Sequence, residues 1–120
     1  MALSNALLKA ALDTGLSTTT HIGFSANGST ETASVPRVAA TFAAASTADP
    51  SVAILSAGIE STATAGVTVT HRAGFTASSG GTQTTTWVPL QTPVVLLEGG
   101  KITFAAADIS ESLNADDTYV

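Results

Sequence analysis

The chain has 120 residues, enough for one domain with one modest core. Apolar residues make up 44% of it but aromatics only 5%, and charged residues 11% against the roughly 25% usual for soluble domains; Thr and Ser fill the polar positions. The net charge of −5, with Lys9, Arg37, Arg72 and Lys101 as the scattered cations, argues against a nucleic-acid surface or a polybasic membrane patch, and the lack of Cys excludes disulfides, thiol catalysis and thiolate metal sites.

The first element expected is a short helix over residues 4–14. Ser4 is placed to cap it, Leu7, Leu8, Ala11 and Leu12 make one apolar stripe, and Gly15 supplies a stop. A helix this short is marginal alone, so its stripe must pack on its own sheet or on another subunit, which makes Leu7, Leu8 and Leu12 candidate protein-contact residues. Lys9 interrupts the apolar stretch, so the start does not read as a signal peptide, and no run approaches the roughly 20 apolar residues of a membrane-spanning helix. Synthesis and retention in the cytoplasm are expected until the protein joins an assembly.

After Leu16 helical spacing gives way to alternation. Thr18–Ala26 reads as a strand with Ile22 and Phe24 on one face, closed by Asn27-Gly28. Val35–Ala43 reads as a second, with Val38, Ala40 and Phe42 inward and Pro36 putting its start at an edge. Asp49-Pro50 marks a turn before a third, Val52–Glu60, with Leu55, Ala57 and Ile59 on one side. Gly66–Thr76 alternates Val67, Val69, His71, Ala73 and Phe75 against Thr68, Thr70, Arg72 and Gly74. A loop at Ser78-Ser79-Gly80-Gly81 then returns the chain as Gln83–Leu90 in a hairpin. Pro93–Leu97 and Lys101–Ala107, joined by Glu98-Gly99-Gly100, complete seven strands, with Ile102, Phe104 and Ala106 inward.

This pattern predicts a mostly β fold, an antiparallel β-sandwich or jelly roll of about seven strands with one short N-terminal α-helix. The organisation expected is a helix at 1–16, a β-sandwich domain at 17–110 and an acidic tail at 111–120, whose end carries Asp116 and Asp117.

Chemistry-bearing constellations are sparse. No Gly-x-Ser-x-Gly elbow frames a serine, and the glycine pairs lack the Lys-Ser/Thr sequel of a phosphate-binding loop. His71 falls on the inward face by alternation and reads as a core histidine, with His21 on the outer face or at an interface. The two lie on different strands with no close-spaced ligands, so no metal site, cofactor or catalytic residue is expected. Trp87, the only Trp, faces outward if Val88 faces inward, which makes it a candidate contact for a partner or a sugar.

The segments "THIGFSA", "VPRVAATFAAAS" and "VTVTHRAGFTASSGGTQTTTWVPLQTPVVLLEGGKITFAAADI" resemble, in their order, small tailed-bacteriophage virion proteins of the type labelled tail fibre protein in actinobacteriophages. Thr70-His71-Arg72-Ala73-Gly74-Phe75 stands where that family has Thr-His-Val-Gly-Ile-Phe. Trp87-Val88-Pro89-Leu90 stands for Trp-Gly-Pro-Leu, and Gly99–Ala107 for the closing strand. Val35-Pro36-Arg37-Val38 replaces a Tyr-Ala-Arg segment and lacks its Tyr. The resemblance covers roughly four-fifths of the chain, leaves the helix outside, and carries no catalytic signature.

What it implies is a non-enzymatic structural component of a phage particle. The absence of collagen-like, heptad or β-helix repeats for a fibre shaft favours a minor capsid or head decoration protein on the assembled capsid surface. The alternative is a tail fibre or receptor- or carbohydrate-binding module on the tail. The partners expected are the phage major capsid protein or tail proteins, with self-association into a homo-oligomer and no nucleic acid or membrane; the location expected is the virion.

Overall fold

Ser4 begins the helix as its capping potential predicts: its Oγ accepts a hydrogen bond from the Leu7 amide at 3.3 Å. In the computed structural model, which describes residues 3–115, the helix (α1) runs from Asn5 to Leu16. Gly15 lies inside it and is not the stop expected. The end comes at Ser17, whose amide and hydroxyl both donate to the Thr14 carbonyl, at 3.3 and 2.7 Å.

Among the described residues the remainder is mostly β and antiparallel, with eight strands arranged as a sandwich. They are β1 (His21–Ser25), β2 (Val38–Ala39), β3 (Ser51–Ile54), β4 (Ile59–Thr62), β5 (Val67–Phe75), β6 (Val88–Leu96), β7 (Lys101–Phe104) and β8 (Ser110–Leu113). One four-stranded sheet has the order β2-β1-β5-β6, and two ladders, β3-β8 and β4-β7, complete the fold. The molecule measures 49 × 27 × 27 Å, with a radius of gyration of 14.9 Å. A compact chain of this length would have about 13.6 Å, so the module is elongated.

The main core fills the space between the sheet and the β4-β7 ladder. Phe24 of β1 stacks on Phe104 of β7, centroids 6.1 Å apart and planes within 8°. Ile22, Val69 and Leu96 pack from the sheet side, and Leu55, Ile59 and Ile102 from the other. A second, smaller cluster joins Leu12 and Leu16 of α1 to Ala45 and Ala53, so the helix covers its own β3-β8 ladder.

Three strand expectations change. The segment expected as one strand over 35–43 changes partners midway. Ala40 donates to the Thr20 carbonyl beside β1, whereas Ser56 donates to Thr41 and Ala43 to Ile54 on the β3 side. Only Val38–Ala39 is therefore ladder, and the stretch turns a corner between sheets. Pro36 does precede an edge strand. The single strand expected over 52–60 is two, because β3 pairs with β8 and β4 with β7. Gly58 sits at the break, where a Cβ would lie 2.9 Å from the Phe104 carbonyl oxygen, and Ala57 is exposed, not inward. Conversely, the strands expected over 83–90 and 93–97 are joined in one, β6, which begins only at Val88 and ends at Leu96.

The acidic tail expected from residue 111 is also corrected. Residues 110–113 are β8, paired with β3 from Ser51↔Leu113 to Ile54↔Ser110. The Ala115 amide donates to Asp49 Oδ1 at 3.1 Å. Asp116 and Asp117 lie outside the described residues.

Candidate functional site

Alternation along β5 fails at one point, and that failure decides which of its polar side chains face the core. The β5-β6 register slips between Val69 and His71, where the β6 partners are Val94 and Pro89. Val69 faces the main core. Beyond the slip, Arg72 pairs with Phe24 and Gly74 with Ile22, so these now share the core face, while His71, Ala73 and Phe75 turn to the opposite one. The expected positions of His71 and Arg72 are thus exchanged. Arg72 is buried, its Nη1 donating to Glu111 Oε1 at 2.9 Å and its Nη2 to the Ser110 carbonyl at 3.2 Å. His71 is half-buried, bonded through Nδ1 to Thr70 Oγ1 at 2.7 Å and lying over Gly28, where a Cβ would come within 2.8 Å of its ring. His21, on that same second face opposite Phe75, is half-buried with Nδ1 2.8 Å from Thr20 Oγ1.

The loop after β1 folds over this second face. Ser25 Oγ accepts from the amides of Asn27 and Gly28, at 3.1 and 2.9 Å, and donates to the Thr30 carbonyl at 2.6 Å. Gly28 adopts φ 77°, a value that favours glycine. The loop delivers Glu31 to Arg37 in a two-pronged pair, Nε–Oε2 and Nη2–Oε1 both 2.8 Å. The guanidinium carbon of Arg37 stands 3.7 Å from the centre of the Phe75 ring, and its Nη1 donates to the carbonyls of Ala77 and Gly80 at 2.9 and 2.8 Å. Trp87 meets Phe75 edge-on, centroids 5.8 Å apart at 62°. One arginine therefore ties the 26–37 loop, the β5 aromatic and the 77–80 hairpin loop together, with Trp87 beside them. Gly80 and Gly81, at φ 63° and 68°, let that hairpin close.

Comparison with protein-family models, with curated proteins and with solved structures returned no match. The chemical reading therefore rests on these residues.

Trp87 is half-buried, one edge committed to Phe75. Of the helix candidates, Leu8 is 0% exposed and Leu12 packs on Ala45 and Ala53. Both are used within the chain, so of the two neighbours open to the stripe, its own sheet or another subunit, its own sheet takes these two leucines. Leu7 alone stays outward, 50% exposed. Sequence reasoning missed Arg37, Glu31 and Phe75 as a group. The signal available was the scarcity of cations, since a chain with four basic residues has few to leave without a role. Each is indeed paired, Lys9 with Asp13, Arg37 with Glu31, Arg72 with Glu111 and Lys101 with Glu60.

Among the described residues no three His, Asp or Glu side chains converge as metal ligands would, and no helix is long and apolar enough to cross a membrane. A cleft of about 600 Å³ opens between β6 and the β7 end of the other layer. Leu90, Val94 and Phe104, which pack on the main core, line it together with Arg72, Gln91, Thr92, Thr103 and Asp108. Asp108 Oδ2 accepts from the Ala105 amide at 2.8 Å. The cleft is thus an open seam of the sandwich.

Proposed function

We propose that this chain is a non-enzymatic structural protein of a tailed-phage virion, a minor capsid or head decoration protein held on the assembled shell by an uncharged surface. The observation that carries the reading is the run from Ala73 to Leu97, which contains no charged residue and supplies the hairpin loop, the Trp87 segment and the edge strand β6. Burying a neutral surface against another protein avoids the desolvation cost of charges, and aromatic residues are enriched in such contacts. Arg37 supports this surface from within, because its bonds to Ala77 and Gly80 hold the loop in one shape before any partner arrives. The phage setting comes from the resemblance of the segments beginning at Thr20, Val35 and Val67 to small virion proteins.

Attachment through the helix stripe is no longer part of the proposal, since Leu8 and Leu12 serve the chain's own core. The test is gold-labelled antibody against this protein on intact particles. Label spread over the head is the result expected. Label confined to the tail or its tip would replace this reading with the tail module, and particles without label would end both.

A further inference from the structure

We propose that Asn27 is a site of spontaneous deamidation whose rate is set by Ser25, which holds the attacking nitrogen in a hydrogen bond while the loop after β1 is closed. The inference does not rest on the virion reading, because it concerns bonds within one chain. Of the three asparagines, Asn5, Asn27 and Asn114, only Asn27 precedes a glycine. Without a Cβ on the following residue, the backbone nitrogen can swing onto the asparagine side chain with little steric hindrance. In that reaction the Gly28 nitrogen loses its proton to solvent base and bonds to Asn27 Cγ, the Cγ–Nδ2 bond breaks, and Nδ2 leaves as ammonia. Water then opens the cyclic imide at either carbonyl, leaving aspartate or isoaspartate at position 27.

Asn27 is exposed, so water and base reach it freely. The closed loop withholds the nucleophile instead. The Gly28 amide donates to Ser25 Oγ at 2.9 Å, and Ser25 is itself 0% exposed, fixed by its bond to the Thr30 carbonyl. The carboxamide is turned toward the residues ahead. Its Oδ1 accepts from the Ser29 and Thr30 amides at 2.8 and 3.0 Å, and its Nδ2 donates to Thr30 Oγ1 at 3.1 Å. Two amides on Oδ1 polarise Cγ for attack, as an oxyanion site does. That activation is idle as long as the Gly28 nitrogen keeps its proton in the bond to Ser25. His71 packs against Gly28 and limits its movement further. Isoaspartate adds a methylene to the backbone, and either product lacks the Nδ2 donor, so the turn that delivers Glu31 to Arg37 is not remade with its original bonds. Each opening of the loop thus exposes it to an irreversible change that loosens the Arg37 cluster.

Peptide-mapping mass spectrometry on the full chain, incubated in mildly alkaline buffer, tests this by comparing native protein, urea-unfolded protein and folded Ser25→Ala. Asn27 is expected to convert ahead of Asn5 and Asn114, and at least about tenfold more slowly in the native protein than in the unfolded chain. Ser25→Ala should recover most of the unfolded rate, whereas Ser78→Ala, in the other loop, should leave the native rate unchanged. Where Ser25→Ala does not fold, hydrogen exchange of the Gly28 amide in wild type takes its place, and that amide is expected to exchange at least about tenfold more slowly than in the unfolded chain. Native protein converting at the unfolded rate, a folded Ser25→Ala as slow as wild type, or a Gly28 amide exchanging as fast as in the unfolded chain would overturn the proposal. None of these outcomes bears on the particle-labelling result.

Discussion

Arg37 stands over Phe75, its guanidinium carbon 3.7 Å from the ring centre, while the same side chain grips Glu31 with two nitrogens. A planar, delocalised cation can stack and form a fork at once, and a lysine cannot. Arg37→Lys should therefore behave much like Arg37→Ala, each losing about 1–3 kcal/mol of stability. Trp87, the only Trp, sits against the same ring, so its fluorescence reports the cluster directly. We expect a shifted emission maximum and faster proteolysis within residues 77–82. An unaltered loop cleavage rate in both variants would show that Arg37 does not hold it.

Gly23 should tolerate no side chain. A Cβ there would lie 2.6 Å from Phe75 Cε2 and 2.8 Å from Glu31 Oε2, so Gly23→Ala must push apart the two groups that Arg37 joins. A loss of about 1–3 kcal/mol in urea denaturation is expected, accompanied by the same Trp87 change. Gly15→Ala provides the contrast, because nothing lies within 4 Å of its Cβ position and the site is helical. That substitution should stabilise by about 0.5–1 kcal/mol.

The Arg72–Glu111 pair predicts an asymmetry. Glu111→Ala leaves a guanidinium whose side chain is 8% exposed without its carboxylate, and should cost about 1–3 kcal/mol, tempered by the partial exposure of Glu111. Arg72→Met removes the buried charge itself and should cost less. Thermal melts of the two variants side by side settle the order, and the reverse order would show that Arg72 contributes chiefly by its contacts.

Asp13 links the helix to the segment beneath it. Its carboxylate accepts from Lys9 and, through Oδ1, from the Ala45 amide at 2.8 Å, and these two bonds hold its pKa below the usual carboxylate range. A depressed folded-state pKa means stability that is present above the unfolded value, about 3.9, and lost as pH falls through the folded one. Asp13→Asn should therefore melt below wild type at neutral pH, with the difference shrinking below about pH 4. A difference that is constant across the titration would assign the effect to shape alone.

Much of the fold was legible because its signals are local. The Ser4 cap with the leucine stripe marked the helix, alternation through Ile22 and Phe24 marked β1, and paired glycines marked the 78–81 loop. What escaped depends on distant partners. Alternation counted through Thr70 puts His71 inward and Arg72 outward, and only the register with β6 reveals the slip that exchanges them. β8, with the sequence Ser-Glu-Ser-Leu, has too little apolar character to read as a strand, and becomes one because β3 lies open to it 59 residues earlier. The Arg37 cluster draws on the β1 loop, the β2 edge and the β5-β6 hairpin, so no single segment announced it.

That dependence of β3 on β8 also bears on synthesis. Ser51–Ile54 leaves the ribosome long before Ser110–Leu113, and β4 must likewise wait for β7. The first half of the chain therefore has no completed ladder for either strand until the C-terminal segment emerges. Pairings so distant in sequence fold slowly and leave unsatisfied strand edges exposed in the meantime. A nascent chain stalled near residue 100 is expected to be the aggregation-prone species, and release of the last segment is the event that lets the module close.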